Sequence, residues 1–197
     1  IEAARQMRRN TGRERQILEG FQDLVKSFMH PVGLSNAEAC SDQECEKLYH
    51  LGELTAQLRA AVGRKNGHGE IEYIDEPEGT PRLVSGALQI ARARAAIYRR
   101  KTATPEDLEL GKRAVWDSTP SVRRSIFQSL TDGPTPWSGV VKGSGITSDA
   151  QIERTLETLI ALGLVKKEEL NTSVFYSLSY SGQDLWQKSV GPLQGPS

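Results

Sequence analysis

Residues 147–186 read TSDAQIERTLETLIALGLVKKEELNTSVFYSLSYSGQDLW. Thr147 to Asp149 have the residue types of a helix N-cap. Ile152, Leu156, Leu159 and Ile160 then recur at spacings of three and four, which predicts a helix to Leu162 capped by Gly163. Leu164 to Lys167 lead into a strand, Glu168 to Ser173 form a polar tip, and Val174 to Leu178 return with strand propensity. A closing helix over about Ser181 to Ser189 buries Leu185 and Trp186. Working back, Thr119 and Pro120 open a helix with Val122, Ile126, Phe127 and Leu130 inward. Gly133 and Pro134 break it, Trp137 to Lys142 is a short helical segment, and Gly143 to Gly145 is a turn.

Helix, short helix, turn, helix and ribbon is the order of a winged helix-turn-helix. Ile152 to Val165 resembles its recognition helix running into the wing, and YSLSYSGQDLW, Tyr176 to Trp186, resembles the wing exit and closing helix of winged-helix regulators. A helix fits the major groove, and a wing can straddle phosphates. With the apolar positions inward, Gln151, Arg154, Thr155 and Thr158 are expected outward, with Thr147 and Ser148 at the helix start. Gln and Arg suit base edges, and Ser or Thr at a helix start suits a phosphate. Lys166 and Lys167 in the wing, and Arg123 and Arg124 on the first helix, are further phosphate candidates. Against them stand Asp149, Glu153, Glu157, Glu168 and Glu169, and winged helices also serve as protein-contact modules or spacers.

The part before Ser118 reads as helices. Ile17, Leu18, Phe21, Leu24, Val25 and Phe28 share a face over about Arg13 to Met29, ended by Pro31 and Gly33. Leu48, Leu51, Leu54, Leu58 and Val62 stripe a helix from about Ser41 to Val62, with Gly63 as its cap and Arg64 to Gly69 as a polar loop. Ile71, Tyr73 and Asp75 to Pro81 are expected extended, since Pro77 and Pro81 disfavour helix before them. Arg82 to Arg99 is a helix with a narrow face of Leu83, Ala87, Ile90, Ala91, Ala95 and Tyr98. Thr104, Pro105 and Asp107 start the next, which carries Leu108, Leu110, Val115 and Trp116 to about Asp117. The expected architecture is thus mainly α: a helical bundle over 1–118, then a winged helix-turn-helix with a small β-hairpin over 119–197.

The run TPRLVSGALQIARARAAIYRRKTATPEDLELGKRAVWDS, Thr80 to Ser118, resembles the end of the helical lid of AAA+ ATPases, MCM helicases in particular. A winged helix directly after it is similar to the arrangement in archaeal origin-recognition initiators and in bacterial ATPases with a C-terminal winged helix. The resemblance implies that Arg82 occupies the sensor-2 position, where a guanidinium reports on the terminal phosphates of ATP. It also implies DNA replication as a setting, with an upstream ATPase core or neighbouring subunits as partners beside duplex DNA. The sequence departs from the family in lacking any G-x-x-x-x-G-K-[ST] loop, so no ATP hydrolysis is expected of these residues alone; ATP and magnesium would enter only with a core elsewhere. The chain begins at Ile1 without a Met, which fits a piece of something longer. The competing reading is a non-catalytic winged-helix transcriptional regulator with a helical dimerisation or sensing domain, and a third is a winged helix used for protein contacts.

Composition excludes little else. The 197 residues are 37% hydrophobic, and 25 Lys and Arg balance 25 Asp and Glu, so no global field announces a polyanion. Seven basic and seven acidic residues follow Ser118, so charge does not mark the boundary. Locally, Arg82, Arg92, Arg94, Arg99, Arg100 and Lys101 form a stretch of 82–101 without an acid, suited to an anionic partner or to pairing with the acidic Glu70 to Glu78. The absence of a long apolar run predicts no membrane partner and a cytoplasmic, intracellular protein. Cys40 and Cys45 are expected as reduced thiols, and with His50, and His30 or His68, they lack zinc-site spacing, so no metal is expected. Trp116, Trp137 and Trp186 are expected as core or interdomain anchors.

Overall fold

A computed structural model describes residues 41–67, 69–170 and 173–190. The expected helix over 13–29 lies outside the described residues. The structure is mainly α with a small antiparallel sheet. In chain order it comprises α1 (Asp42–Arg59), β1 (Val62–Arg64), a 3-10 turn (Lys65–Gly67), β2 (Ile71–Ile74), α2 (Thr80–Ile97), α3 (Pro105–Asp117), α4 (Ser121–Ser129), β3 (Thr135–Pro136), α5 (Trp137–Ser144), α6 (Asp149–Ala161), β4 (Val165–Leu170), β5 (Ser173–Leu178) and α7 (Tyr180–Val190).

α1 joins two apolar clusters. Its first half gives Leu48 and Leu51 to a cluster with Ala87 and Ala91 of α2 and Leu108 and Val115 of α3. Its second half gives Leu54 and Leu58 to a larger cluster with Ile126, Phe127, Val140, Ile152, Leu156, Leu159, Leu164 and Leu185. Trp116 packs against both. Its ring lies 6.4 Å from Phe127 and 5.7 Å from Trp186, and Trp137 packs on the larger cluster 6.4 Å from Tyr176.

α1 stops at Arg59 rather than continuing to Val62. Arg123 of α4 donates to the Leu58 and Ala60 carbonyls (2.8 and 2.7 Å), and the next residues pair as a strand, Val62 opposite Ile74. The expected Arg64–Gly69 loop is therefore the tip of a β1–β2 hairpin. α2 begins at Thr80 because Pro81 is tolerated in a first helical turn. Tyr98, expected inward, is exposed, with the Arg94 and Arg100 guanidinium carbons 5.7 and 5.2 Å from its ring centroid.

In the C-terminal half β5 is the central strand of a sheet ordered β3–β5–β4, all antiparallel, with Val165 opposite Leu178 and Thr135 opposite Tyr176. Gly163, at φ 72°, takes the left-handed conformation that turns the chain from α6 into β4.

α3 starts where Thr104 predicts. The Asp107 carboxylate accepts the Thr104 backbone N–H (2.8 Å) and hydroxyl (3.0 Å), and Arg100 lies 2.7 Å away. Burial of this carboxyl by itself raises its pKa. The Thr104 bonds, together with Arg100 and Arg94, outweigh that and hold it below the ordinary value. A depressed carboxylate contributes stability above its unfolded pKa and loses it as pH falls through the folded one. Asp107→Asn is expected to cost about 2 kcal/mol at pH 7, below the 3–5 of a sealed ion pair because both arginines reach water. Urea midpoints at pH 7 and below pH about 3.5 check this: the wild-type advantage over the variant shrinks on acidification.

Candidate nucleic-acid interface

α6 is set by its cap and its apolar stripe. The Ser148 hydroxyl accepts the Gln151 N–H (3.4 Å), while Ile152, Leu156 and Leu159 fix the buried side. Thr147, Ser148, Gln151 and Arg154 are exposed together around the start of the helix, and neither the Gln151 nor the Arg154 side chain meets another described residue in a hydrogen bond or ion pair.

Other expected contacts are placed differently. Thr155 and Thr158 are buried, 8% and 7% exposed, not outward. Their hydroxyls donate one turn back, to the carbonyls of Gln151 (2.7 Å) and Arg154 (2.8 Å), which lets a threonine sit inside without an orphaned polar group. Arg123 and Arg124 are not free phosphate ligands. Arg123 caps the C-terminus of α1, and burial pulls its guanidinium below the usual pKa. Arg124 closes the C-terminal end of α3, donating to the Trp116 carbonyl (3.4 Å) and the Asp117 carboxylate (2.5 Å). Lys166 and Lys167 are exposed on β4 and pair with Glu168 (2.6 Å) and Glu169 (3.6 Å). Such solvated pairs are worth about 0–1 kcal/mol, so a phosphate can compete for either lysine.

The outer face of α6 is not bare. Arg64, at the end of β1, reaches across and donates to the Glu157 carboxylate (2.7 Å), the Arg154 carbonyl (3.0 Å) and the Thr158 hydroxyl (3.4 Å). Between hairpin and helix lies a cleft of about 540 Å³ lined by Arg64, Glu70, Ile71, Glu153, Arg154 and Glu157. Asp149, Glu153 and Glu157 set three acids on this face against Arg154. Arg64 lies 93 positions from Glu157, and no local pattern announces the contact.

A second locus surrounds Arg82. It sits exposed in the first turn of α2, its side chain making no hydrogen bond or ion pair with another described residue, beside a cleft of about 300 Å³ that Arg59, Glu78, Gly86 and Ile90 also line. Arg59 pairs with Glu78 at 2.6 Å, and the first turn of α2 holds no acid. The carboxylate nearest in sequence to this helix start, Glu78, is taken up by Arg59.

Among the described residues no group of three His, Cys, Asp or Glu is placed to hold a metal ion. His50 lies 3.5 Å from Glu53, and Cys45 is disulfide-bonded, not the reduced thiol expected. Cys40, His30 and His68 lie outside the described residues. No helix among the described residues is long and apolar enough to cross a membrane. No family model matches the chain, and no curated protein or solved structure matches it.

Proposed function

We propose that this chain is the lid and DNA-binding end of a replication-type AAA+ ATPase, in which the helical part reads nucleotide state and the C-terminal half, as a winged helix, binds duplex DNA. The observation that carries the reading is the exposed group Thr147, Ser148, Gln151 and Arg154 at the start of a capped helix that runs into an antiparallel ribbon. The ribbon is part of a sheet ordered β3–β5–β4, which supports the reading. Lys166 and Lys167 supply exchangeable phosphate contacts on that ribbon. Arg82, exposed and unpaired, supports the lid half of the reading; α1 and Trp116, packed into both clusters, give it a route to α6. ATP and magnesium belong to a core that these residues do not supply.

The test is duplex binding followed by fluorescence anisotropy. Arg154→Ala is expected to weaken affinity about tenfold, within the 1–3 kcal/mol of a specific base contact, with Gln151→Ala acting in the same direction. Affinity should fall steeply between 50 and 200 mM salt as counterions are released. Absent or salt-insensitive binding overturns the DNA reading, in the ATPase and in a transcriptional regulator alike, and leaves the third one, a protein-contact module. That third reading is favoured by the three acids on the outer face of α6 and by its use of Arg64 as a protein partner.

A further inference from the structure

The β1–β2 hairpin lies on the face of α6 that a DNA groove must receive. None of its residues of described exposure between Val62 and Ile74 is buried. Its own pairing is short, three registered pairs with an irregularity at Gly63 and Arg64. Its tip is held by internal bonds, Lys65 N–H to the Glu70 carbonyl and Gly69 N–H to the Lys65 carbonyl. Among the described residues, every hydrogen bond between this hairpin and the C-terminal half comes from Arg64. An element with no buried residue among those of described exposure and one side-chain anchor belongs to the low-stability end of a structure, where local opening is least costly. The anchor is itself moderate: the Glu157 side chain is half exposed, so solvent and salt screen the pair.

We propose that the hairpin is an autoinhibitory latch: Arg64 holds it beside the outer face of α6, where it obstructs a duplex, and its release clears the approach to that face. A helix about 10–12 Å across already fills a B-form major groove about 12 Å wide, so helix and hairpin do not enter together. In the closed state the hairpin stands beside Glu153 and Glu157, which are themselves exposed, and Arg64 is held on the Glu157 carboxylate. The inference rests on the duplex-binding reading above.

Arg64→Met separates the possibilities by sign, since it keeps the apolar stem and removes the charge and every bond to α6. If Arg64 were a bystander or a phosphate contact, deleting a cation would leave duplex affinity unchanged or weaken it. As a latch, its loss is expected to tighten binding about tenfold, or 1.4 kcal/mol. Equal or weaker binding by the variant, with wild type still binding, overturns the latch and leaves the DNA reading standing. No binding by either protein overturns both. A distance measurement on the chain with Arg64 intact gives an answer even where the variant does not fold. With spin labels on Glu72 and Gln128, both exposed, saturating duplex should change the distance between them as the hairpin lifts, and an unchanged distance counts against the latch.

Discussion

Gly111→Ala is expected to destabilise the protein by about 2–3 kcal/mol, although alanine favours a helix interior over glycine by about 1 kcal/mol. Gly111 sits mid-way along α3, buried, where that helix meets the alanine face of α2. A Cβ placed on it falls against the Ala87 carbonyl oxygen, well inside van der Waals contact, and 3.2 Å from the Ala87 Cα. These are backbone atoms of the neighbouring helix, so no rotamer change relieves them and the two helices must move apart. Separation weakens the packing of Leu48, Leu51, Leu108 and Val115 around them. Gly86→Ala is the matched control. Gly86 is also interior to a helix, but an added Cβ meets nothing within 4 Å, so that variant should gain up to about 1 kcal/mol from propensity alone. Paired urea or thermal unfolding measures both signs. A Gly111→Ala protein as stable as the Gly86→Ala protein would mean that α2 and α3 do not cross this closely.

What could be read beforehand follows from how local each determinant is. The apolar spacing of Ile152, Leu156 and Leu159 determines α6 by itself, because a helical period is expressed within two turns. The start of α3 is legible for the same reason, since Thr104, Pro105 and Asp107 act within four residues of one another. β3 left no trace, because a paired segment of two residues containing Pro136 has neither period nor strand composition; its partner, β5, begins 37 residues after it ends. Thr155 and Thr158 are buried although polarity predicts exposure, because the carbonyl one turn back satisfies each hydroxyl. Arg123, Arg124 and Arg64 show the deeper limit. Each is a cation in a stretch that reads as solvated, and each is spent on groups elsewhere: Arg123 on carbonyls 63 and 65 positions away, Arg64 on a carboxylate 93 positions away. A guanidinium with several donors suits such work, but only the fold decides which acceptor it meets.

Trp116→Ala is expected to cost about 3 kcal/mol, the lower end of the range for truncating a large aromatic, because the ring is half-buried. The size of the loss matters less than its reach. Trp116 belongs to α3, yet it touches Phe127 and Trp186 of the C-terminal half as well as the cluster between α1, α2 and α3. Phe127 and Trp186 also meet each other at 5.8 Å, so the three rings form one contact group. Were the halves independent, truncating Trp116 would lower the stability of the helical part and leave the surroundings of Trp186 intact. In this packing α1 still spans both clusters after the truncation, so unfolding should remain a single transition at a lower denaturant midpoint. The Trp186 fluorescence should shift with it, at the same concentration as the loss of helical circular dichroism. Two separated transitions, or a Trp186 signal indifferent to the variant, would show that α1 alone does not bind the halves into one unit. A change at Arg82 could then not be transmitted to α6 through this core, and the nucleotide-coupling part of the proposed function would lose its mechanical basis while duplex binding by the C-terminal half remained possible.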